Sequence, residues 1–250
     1  MIINKIQDNF YSYTFQPRKD DKFGYNIYAI IDGKSALIID TGFKKHIKAV
    51  EEDLKTKEIT IEKVIISHFH LDHILGLKEI KPQEIIGSED YEKTLNIYVD
   101  SDKHHLFTPN TKVEKAMKLK FGDFNLDIRK FPGHAQCSLL IEINKKYLHV
   151  GDELMYTNQG EDLLPFIDKS VIMRHISSLE KLKKYTHMIF LPSHGKIVKN
   201  KEKNENDINN RLSYLKAVDS KSEKISYEEA IKECNTEFHH SYWHDEIYKH

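Results

Sequence analysis

Short apolar runs separated by polar turns dominate the start of the chain. Residues 10–15, 26–31 and 36–39 are rich in aromatic and β-branched side chains, and an Asp-Gly pair separates the last two runs. An Asp-Gly pair between apolar runs is a strong hairpin signal. The pattern therefore predicts successive strands over residues 2–43, with a polar loop at residues 16–22.

Later segments alternate between helical and strand-like patterns. Ile47, Val50 and Leu54 have helical spacing among charged residues, which predicts a surface helix over residues 44–59. Further helices are predicted at residues 74–80, 91–98, 171–185 and 210–234. Further strands are predicted at residues 61–67, 84–86, 118–121, 124–131, 139–143, 147–150 and 188–191. Loops or irregular segments are expected at residues 100–112, 154–170 and 196–203. The repeated alternation indicates an α/β fold with two similar halves.

Composition limits the classes of protein that fit this pattern. The 250 residues are 39% hydrophobic and 31% charged, with a net charge of −1, so no global basic field points to nucleic acid. Cys137 and Cys234 are the only cysteines and are far apart, which favours two thiols in a reducing compartment. We see no signal peptide and no apolar run of about 18 residues, so we expect a cytoplasmic protein with no membrane partner.

One short segment concentrates metal-ligand side chains directly after the buried strand predicted at residues 61–67. Its four ligand-type residues are His68, His70, Asp72 and His73. Imidazole nitrogens and carboxylate oxygens are the usual ligands of zinc and also suit iron and manganese. On extended backbone the first two histidines point the same way, so one metal ion could take that pair and a second ion the other pair. A polar turn with surface histidines is the less favoured alternative. Two ions need more than four ligands, so further ligands are required elsewhere in the chain.

Three further candidate ligands each follow a predicted strand. They are His134 after Pro-Gly, Asp152 after Gly, and His194 between Ser and Gly. Taken singly, His134 or His194 is more often a structural histidine. Because side chains at neighbouring strand ends converge on one edge of a fold, the shared context favours a common metal site.

The complete set of motifs resembles that of the metallo-β-lactamase-fold superfamily over about residues 10–198. The motifs are His68-x-His70-x-Asp72-His73, Gly133-His134, Gly151-Asp152 and Ser193-His194-Gly195. The resemblance implies a four-layer αβ/βα sandwich, in which two mixed sheets are flanked by helices and the site lies at one edge. It also implies a metallo-β-lactamase-like domain over residues 1–200, with residues 201–250 as a helical extension packed on it.

The resemblance also implies a role for each candidate ligand. The first metal ion would be held by His68, His70 and His134. The second ion would be held by Asp72, His73 and His194, with Asp152 bridging the two. We expect two divalent ions, with zinc first and iron or manganese as alternatives, while Asp40 resembles a structural aspartate near the site. Asp72 is in addition expected to orient water or shuttle a proton.

The expected activity is hydrolysis of an ester, lactone or thioester in a small molecule by a hydroxide that bridges two metal ions. True β-lactamases of this fold lack a bridging aspartate, so Asp152 and the motif spacing favour the lactonase and glyoxalase II-like branch. A mononuclear-iron persulfide dioxygenase and a non-catalytic metal-binding or sensor domain are the alternatives. A homodimer is left open.

Two other groups of residues are candidates for the site. Tyr156 follows Asp152 closely, as a tyrosine does in lactonases of this fold, and could hydrogen-bond a substrate carbonyl; a packing role is the alternative. The segment 154–170 is expected to form a pocket wall through Met155, Leu163, Leu164 and Phe166.

Histidines near the C-terminus, with neighbouring aromatic residues, could form a third metal site, although a solvated or interface helix is favoured: His239, His240, His244 and His250.

Overall fold

A computed structural model describes residues 1–17, 22–221 and 223–249. Part of the loop predicted at residues 16–22, and His250, lie outside the described residues. The strands of the described chain are β1 (Ile2–Gln7), β2 (Phe10–Thr14), β3 (Asn26–Asp32), β4 (Ser35–Ile39), β5 (Thr60–Ile65), β6 (Glu84–Ser88), β7 (Thr111–Val113), β8 (Ala116–Phe121), β9 (Phe124–Lys130), β10 (Leu139–Ile143), β11 (Tyr147–Gly151) and β12 (Ile189–Pro192).

These strands form two mixed sheets. The first sheet has seven strands in the order β1 to β7, and the second has five in the order β12-β11-β10-β9-β8. The pairs β4–β5, β5–β6, β6–β7 and β11–β12 are parallel, and the remaining pairs are antiparallel. Because β4, β5, β6 and β7 are parallel in the first sheet, and β11 and β12 are parallel in the second, the loops that follow the strands of each set leave their own sheet at one edge.

Helices cover the outer face of each sheet. They are α1 (Lys44–Thr56), α2 (Leu71–Ile74), α3 (Tyr91–Tyr98), α4 (Ile172–Leu182), α5 (Lys201–Asp219), α6 (Tyr227–Ala230) and α7 (Trp243–Glu246). One apolar core lies between the sheets, a second packs α1 and α3 on the first sheet, and a third packs α4 and α5 on the second. The four-layer sandwich with two mixed sheets flanked by helices is therefore confirmed.

The observed elements differ most from the sequence predictions in three places. The helix predicted at residues 74–80 begins earlier, as α2, and continues as the 3₁₀ helix Leu75–Glu79. Residues 100–112, predicted as a loop, contain the 3₁₀ helix Ser101–Leu106 and the start of β7. The polar segment 196–203 contains the start of α5, which ends well before residue 234. Within the described residues, no helix combines the length and the apolar character needed to cross a membrane.

Candidate metal centre

Strand ends bring the candidate ligands to one edge of the two sheets. Asp40 follows β4, and residues 66–70 form the turn between β5 and α2. His134 lies in the connection between β9 and β10, Asp152 directly follows β11, and His194 follows β12. Gly151 adopts a φ of +55° at the end of β11, a conformation that glycine takes without a steric penalty. The turn it permits directs the next residue into the cluster.

Three histidines form the first group of potential ligands. His68 Nε2 lies 3.0 Å from His70 Nδ1, and His134 Nε2 lies 3.1 Å from the same atom. These three nitrogens all lie within 4.8 Å of one another, and His68 and His134 are buried. Three imidazole nitrogens that converge in this way form a typical partial ligand set for zinc or another divalent ion.

A second group lies beside the first. Asp72, His73 and His194 also place one ligand atom each within 4.8 Å of the others. His194 Nε2 lies 3.3 Å from Asp72 Oδ2, and His73 Nε2 lies 3.7 Å from Asp72 Oδ1. The structure therefore brings together all the members of the second ligand set that the sequence predicts.

Asp152 lies between the two groups. Its Oδ2 atom is 3.7 Å from Nε2 of both His68 and His134. The same atom is 3.4 Å from His73 Nε2 and 3.3 Å from His194 Nε2. One carboxylate oxygen thus faces histidines of both groups, which is the position that a bridging ligand requires.

Hydrogen bonds on the far side of the imidazole rings fix their orientation. His73 Nδ1 lies 2.9 Å from Asp40 Oδ2, and His194 Nδ1 lies 3.0 Å from the carbonyl oxygen of Gly24. A nitrogen that donates to a carboxylate or carbonyl leaves the opposite nitrogen free to bind a metal ion. The two rings therefore present Nε2 to the cluster.

Charge in the cluster depends strongly on burial and on the neighbouring carboxylates. Burial lowers the pKa of His68 and of His134 well below its usual value, which keeps these rings neutral. Burial raises the pKa of Asp152, but the neighbouring His194 and His73 outweigh this effect and hold its pKa well below the usual range. The same carboxylate, with Asp72, raises the pKa of His194 to about 10 despite burial. The acidic residues thus favour positive charge in the cluster.

The donor set fits a divalent metal ion. His73 Nε2, which faces Asp72 and Asp152, is buried without a hydrogen-bond partner among the described residues. Buried polar groups are normally satisfied, so such atoms need an explanation. Binding of a metal ion would explain the unpaired His73 Nε2, since nitrogen and carboxylate oxygen are common ligands of zinc, iron and manganese.

Glu153 is a buried residue near the site that the sequence analysis missed. Its Oε1 accepts a hydrogen bond from the backbone N–H of His134 at 2.9 Å, and its Oε2 accepts one from Ser178 Oγ at 2.6 Å. Burial raises the pKa of Glu153 to about 7, although the bond from Ser178 opposes this. An acidic residue directly after a buried strand and beside a candidate ligand was the available signal.

Replacing Glu153 by alanine is expected to weaken metal binding without removing a ligand. The His134 N–H would lose its acceptor in a buried turn, and the ring would lose its fixed position. Loss of such supporting contacts typically lowers metal affinity by about 10- to 100-fold. Dialysis against graded chelator, followed by metal analysis, measures the loss. Glu142→Ala, in β10, is the matched control and should retain metal; equal retention by both variants would argue against the role of Glu153.

The side chain of Tyr156 does not line the pocket, which gives no support to the expectation that it contacts substrate, while its backbone N–H donates a hydrogen bond to the carbonyl oxygen of His194 at 3.2 Å. Its side chain is fully buried in the core beneath the second sheet. The Arg211 guanidinium lies 5.2 Å from the ring centroid, and Lys203 Nζ lies 5.2 Å from it on α5. The preceding residue, Met155, lines the pocket instead. Tyr156 therefore has a packing role.

We expect Tyr156→Phe to leave turnover nearly unchanged, because the ring is buried in the core and the charged neighbours of its hydroxyl are Asp207 and Arg211 rather than the candidate ligands. The change in kcat/KM should be less than about threefold, which corresponds to less than about 0.7 kcal/mol. Steady-state kinetics on the best substrate measure this ratio. A loss of about tenfold or more, with unchanged unfolding behaviour, would restore a catalytic role to Tyr156.

The other candidates separate into pocket and core residues. Phe166 lines the pocket with Met155, whereas Leu163 and Leu164 are fully buried in the core. Near the C-terminus, His244 uses both ring nitrogens, one with Tyr214 Oη at 2.9 Å and one with the carbonyl of Ile225 at 2.8 Å. Within the described residues, the histidines near the C-terminus form no group of potential metal ligands.

The fold and the cluster together define a metal-binding protein of the αβ/βα sandwich class. A family model described as the metallo-beta-lactamase superfamily matches residues 20–194, and the chain belongs to this superfamily. A solved metallo-beta-lactamase from Pontibacter korlensis has the same fold, with a TM-score of 0.68 at 17% identity over 86% of this chain and 98% of that chain.

The relatives found among curated proteins are longer than this chain, and only part of each is matched. A beta-lactamase-like protein 2 homolog of Drosophila melanogaster is 24% identical over 189 residues, which cover 70% of this chain and 60% of that protein. An atrochrysone carboxyl ACP thioesterase of Passalora fulva is 24% identical, with 80% and 54% covered. A hydroxyacylglutathione hydrolase of Francisella philomiragia is 30% identical, with 53% and 48% covered. The chain thus spans about half to three fifths of the length of these relatives, and two of them bear hydrolase names.

Proposed function

We propose that this protein is a dinuclear metal-dependent hydrolase that cleaves an ester, lactone or thioester bond in a small molecule. The observation that carries the proposal is the position of Asp152, whose Oδ2 faces histidines of both groups at 3.3 to 3.7 Å. A site for one ion would not need two complete groups around a shared carboxylate. The thioesterase and hydrolase names of two relatives support the same class of reaction.

In this proposal each group of residues has a defined task. His68, His70 and His134 would hold one ion, and Asp72, His73 and His194 the other, with Asp152 between them. Bound zinc, or iron or manganese in its place, would supply a nucleophilic water of lowered pKa and stabilise the negative charge that develops on the substrate.

Asp72 is the proposed proton-handling residue. Its side chain is 27% exposed, whereas that of Asp152 is 5% exposed, and both line the same pocket. Because one carboxylate oxygen of Asp72 lies 3.3 Å from His194 Nε2, the carboxylate can orient water at the pocket floor or accept a proton there. The buried histidines of the first group are neutral and serve as ligands rather than acids.

Proton release in a pH-stat tests the proposal. Protein loaded with zinc or manganese is supplied with lactones, thioesters, simple esters and phosphodiesters in turn. Turnover of one carbonyl class, lost in Asp152→Ala, is the expected result. Absence of turnover with every compound tested would overturn the proposed hydrolase. Oxygen uptake by iron-loaded protein given a persulfide would then favour the dioxygenase alternative.

Further proposals concern the cellular location and the assembly of the protein. Cys137 and Cys234 are both free thiols in the structure, which supports the proposed reducing, cytoplasmic location. The arrangement of residues 201–250 as an extension of one domain, and a homodimer, stay predictions.

A further inference from the structure

Aromatic side chains surround the pocket above the candidate metal ligands. The pocket has a volume of about 300 Å³, at the small end of the range for small-molecule sites. Its aromatic lining consists of Phe23, Tyr25, Tyr98, Phe166 and Trp243. These rings come from four separate parts of the chain, so the pocket is formed by the tertiary fold rather than by one loop.

The C-terminal segment supplies the centre of this aromatic lining. The Trp243 ring centroid lies 5.0 Å from that of Phe166 and 5.9 Å from that of Phe23. Phe23 in turn lies 5.1 Å from the ring of the candidate ligand His194, at an interplanar angle of 85°. Tyr98 lies 5.2 Å from His70 on the opposite side. A bound planar group could therefore contact both ring faces and ring edges beside the ligands, as aromatic pairs prefer.

The charges around the pocket point to an apolar occupant. Among the described residues, neither lysine nor arginine lines the pocket, and its two acidic residues, Asp72 and Asp152, are candidate metal ligands. An anionic group that entered the aromatic part would lose its hydration without gaining a cationic side chain as a partner, which is unfavourable. An apolar group would instead gain from the removal of its surface from water.

An adjoining groove adds polar side chains to this apolar lining. It has a volume of about 690 Å³ and shares His70, Tyr98, His134 and Phe166 with the aromatic pocket. Apolar side chains line much of the groove, and charged and amide side chains line the rest, including Lys93, Gln136 and Arg174. Arg174 is held in place by hydrogen bonds to the carbonyl of Gly133 at 3.0 Å and to Gln136 Oε1 at 3.1 Å. The groove therefore suits the polar part of a molecule whose apolar part occupies the aromatic pocket.

We propose that the substrate carries a planar apolar group of one or two rings, held by the aromatic pocket, and a polar part held in the adjoining groove. This inference rests on the proposed hydrolase, because it places the cleaved bond where the two cavities meet, over His70 and His134. Aliphatic or anionic groups of the same size would be held less well in the pocket. Phe166 is the specificity-determining residue that is easiest to test, since 49% of its surface is exposed and its removal should cost little stability.

Tryptophan fluorescence measures the binding without any turnover. Trp243 is the only tryptophan of the chain, so energy transfer from it to a neutral dansyl N,N-dimethylamide reports on this pocket. The metal-loaded protein is titrated with the dansyl amide, and then 2-naphthamide or hexanamide is added as a competitor. We expect saturable transfer that 2-naphthamide reverses and hexanamide does not. Equal displacement by both amides, or no saturation, would overturn the inference.

Two variants locate the binding site. Phe166→Ala should weaken the affinity for the dansyl amide by about 3- to 10-fold, as expected from the loss of one aromatic contact. Tyr242→Ala is the matched control, because this ring lies 6.1 Å from Trp243 and is 60% exposed but does not line the pocket. The control should bind as the unmodified protein does. Equal weakening in both variants would indicate a general disturbance of the C-terminal segment and would overturn the assigned pocket.

A kinetic comparison separates failure of this inference from failure of the proposed function. The acetyl and 2-naphthoyl thioesters of N-acetylcysteamine are compared with S-(2-naphthylmethyl) thioacetate, which carries the rings on the other side of the bond and also releases an alkyl thiol. Faster turnover of either naphthyl compound supports the inference and identifies the side. Equal turnover of all three would overturn the inference and keep the hydrolase. Saturable dansyl binding without turnover of any ester, lactone or thioester would support the pocket and overturn the hydrolase.

Discussion

Replacing Asp152 by alanine is expected to lower turnover by about 10³-fold or more and to reduce the bound metal, while the fold is retained. Loss of one group that stabilises a transition state costs about 10²- to 10³-fold, and Asp152 contacts both ligand groups, so its loss should exceed this range. Its Oδ2 lies within 3.7 Å of nitrogens from four histidines. Removal of the carboxylate leaves these histidines without a shared negative partner.

Metal content and turnover are the measurements that check this expectation. Elemental analysis after gel filtration gives the number of ions per chain, and circular dichroism confirms the fold. His134→Ala should also lose metal and turnover, because it removes one of the three proposed ligands of the first ion. Asp123→Asn, at an exposed turn between β8 and β9, is the matched control and should keep its metal and full activity. Full activity in Asp152→Ala would contradict the proposed site.

The convergence of the candidate ligands could be predicted from sequence because each lies after a strand or in the short helix that follows one. Strand ends are fixed by long apolar runs, and side chains placed just after them meet at one edge of a sheet. His134, Asp152 and His194 are far apart along the chain, yet each has this context, and the structure brings them together with His68. The sequence also indicated Asp40 near the site, although only the structure shows its bond to His73.

The start of α5 could not be predicted because its buried face is polar. Asn204 donates hydrogen bonds to the carbonyls of Thr186 and Met188, and Arg211 is buried with an ion pair to Asp162 at 2.9 Å. A search for apolar residues at helical spacing passes over such a face. Asn200 was the available local signal in the sequence, because asparagine is a favoured N-cap residue. In the structure its Oδ1 accepts a hydrogen bond from Lys203 N–H at the beginning of this helix.

The pocket lining could not be predicted for a different reason. After β11 the chain loses regular alternation, so sequence spacing does not determine whether Met155 or Tyr156 faces the ligands. The contact between Phe23 and Trp243 joins the two ends of the chain through segments without regular spacing. Trp243, near the C-terminus, lines the pocket through tertiary packing that sequence spacing does not reveal.

Replacing Asp40 by alanine should destabilise the protein and also weaken metal binding. Its Oδ1 accepts a hydrogen bond from Ser67 N–H at 2.7 Å, and its Oδ2 contacts Ser67 Oγ at 2.7 Å and His73 Nδ1 at 2.9 Å. Burial raises the pKa of Asp40, but the neighbouring His73 outweighs this and lowers it, so the carboxylate stays charged. Loss of one partner from a buried charged network costs about 3–5 kcal/mol. For a chain of this size we expect a fall in Tm of about 10 °C.

Asp40→Asn separates the two effects of this residue. Asp40 has a φ of +60°, a conformation that asparagine accepts more readily than alanine does. Its amide oxygen can still accept from Ser67 N–H, so Asp40→Asn should regain much of the lost Tm in thermal unfolding. It should not regain metal affinity, because a neutral amide no longer holds the Nδ1–H tautomer of His73, and supporting groups of this kind contribute about 10- to 100-fold. Recovery of both properties together would show that Asp40 serves the fold alone, because the metal loss in Asp40→Ala would then follow from unfolding.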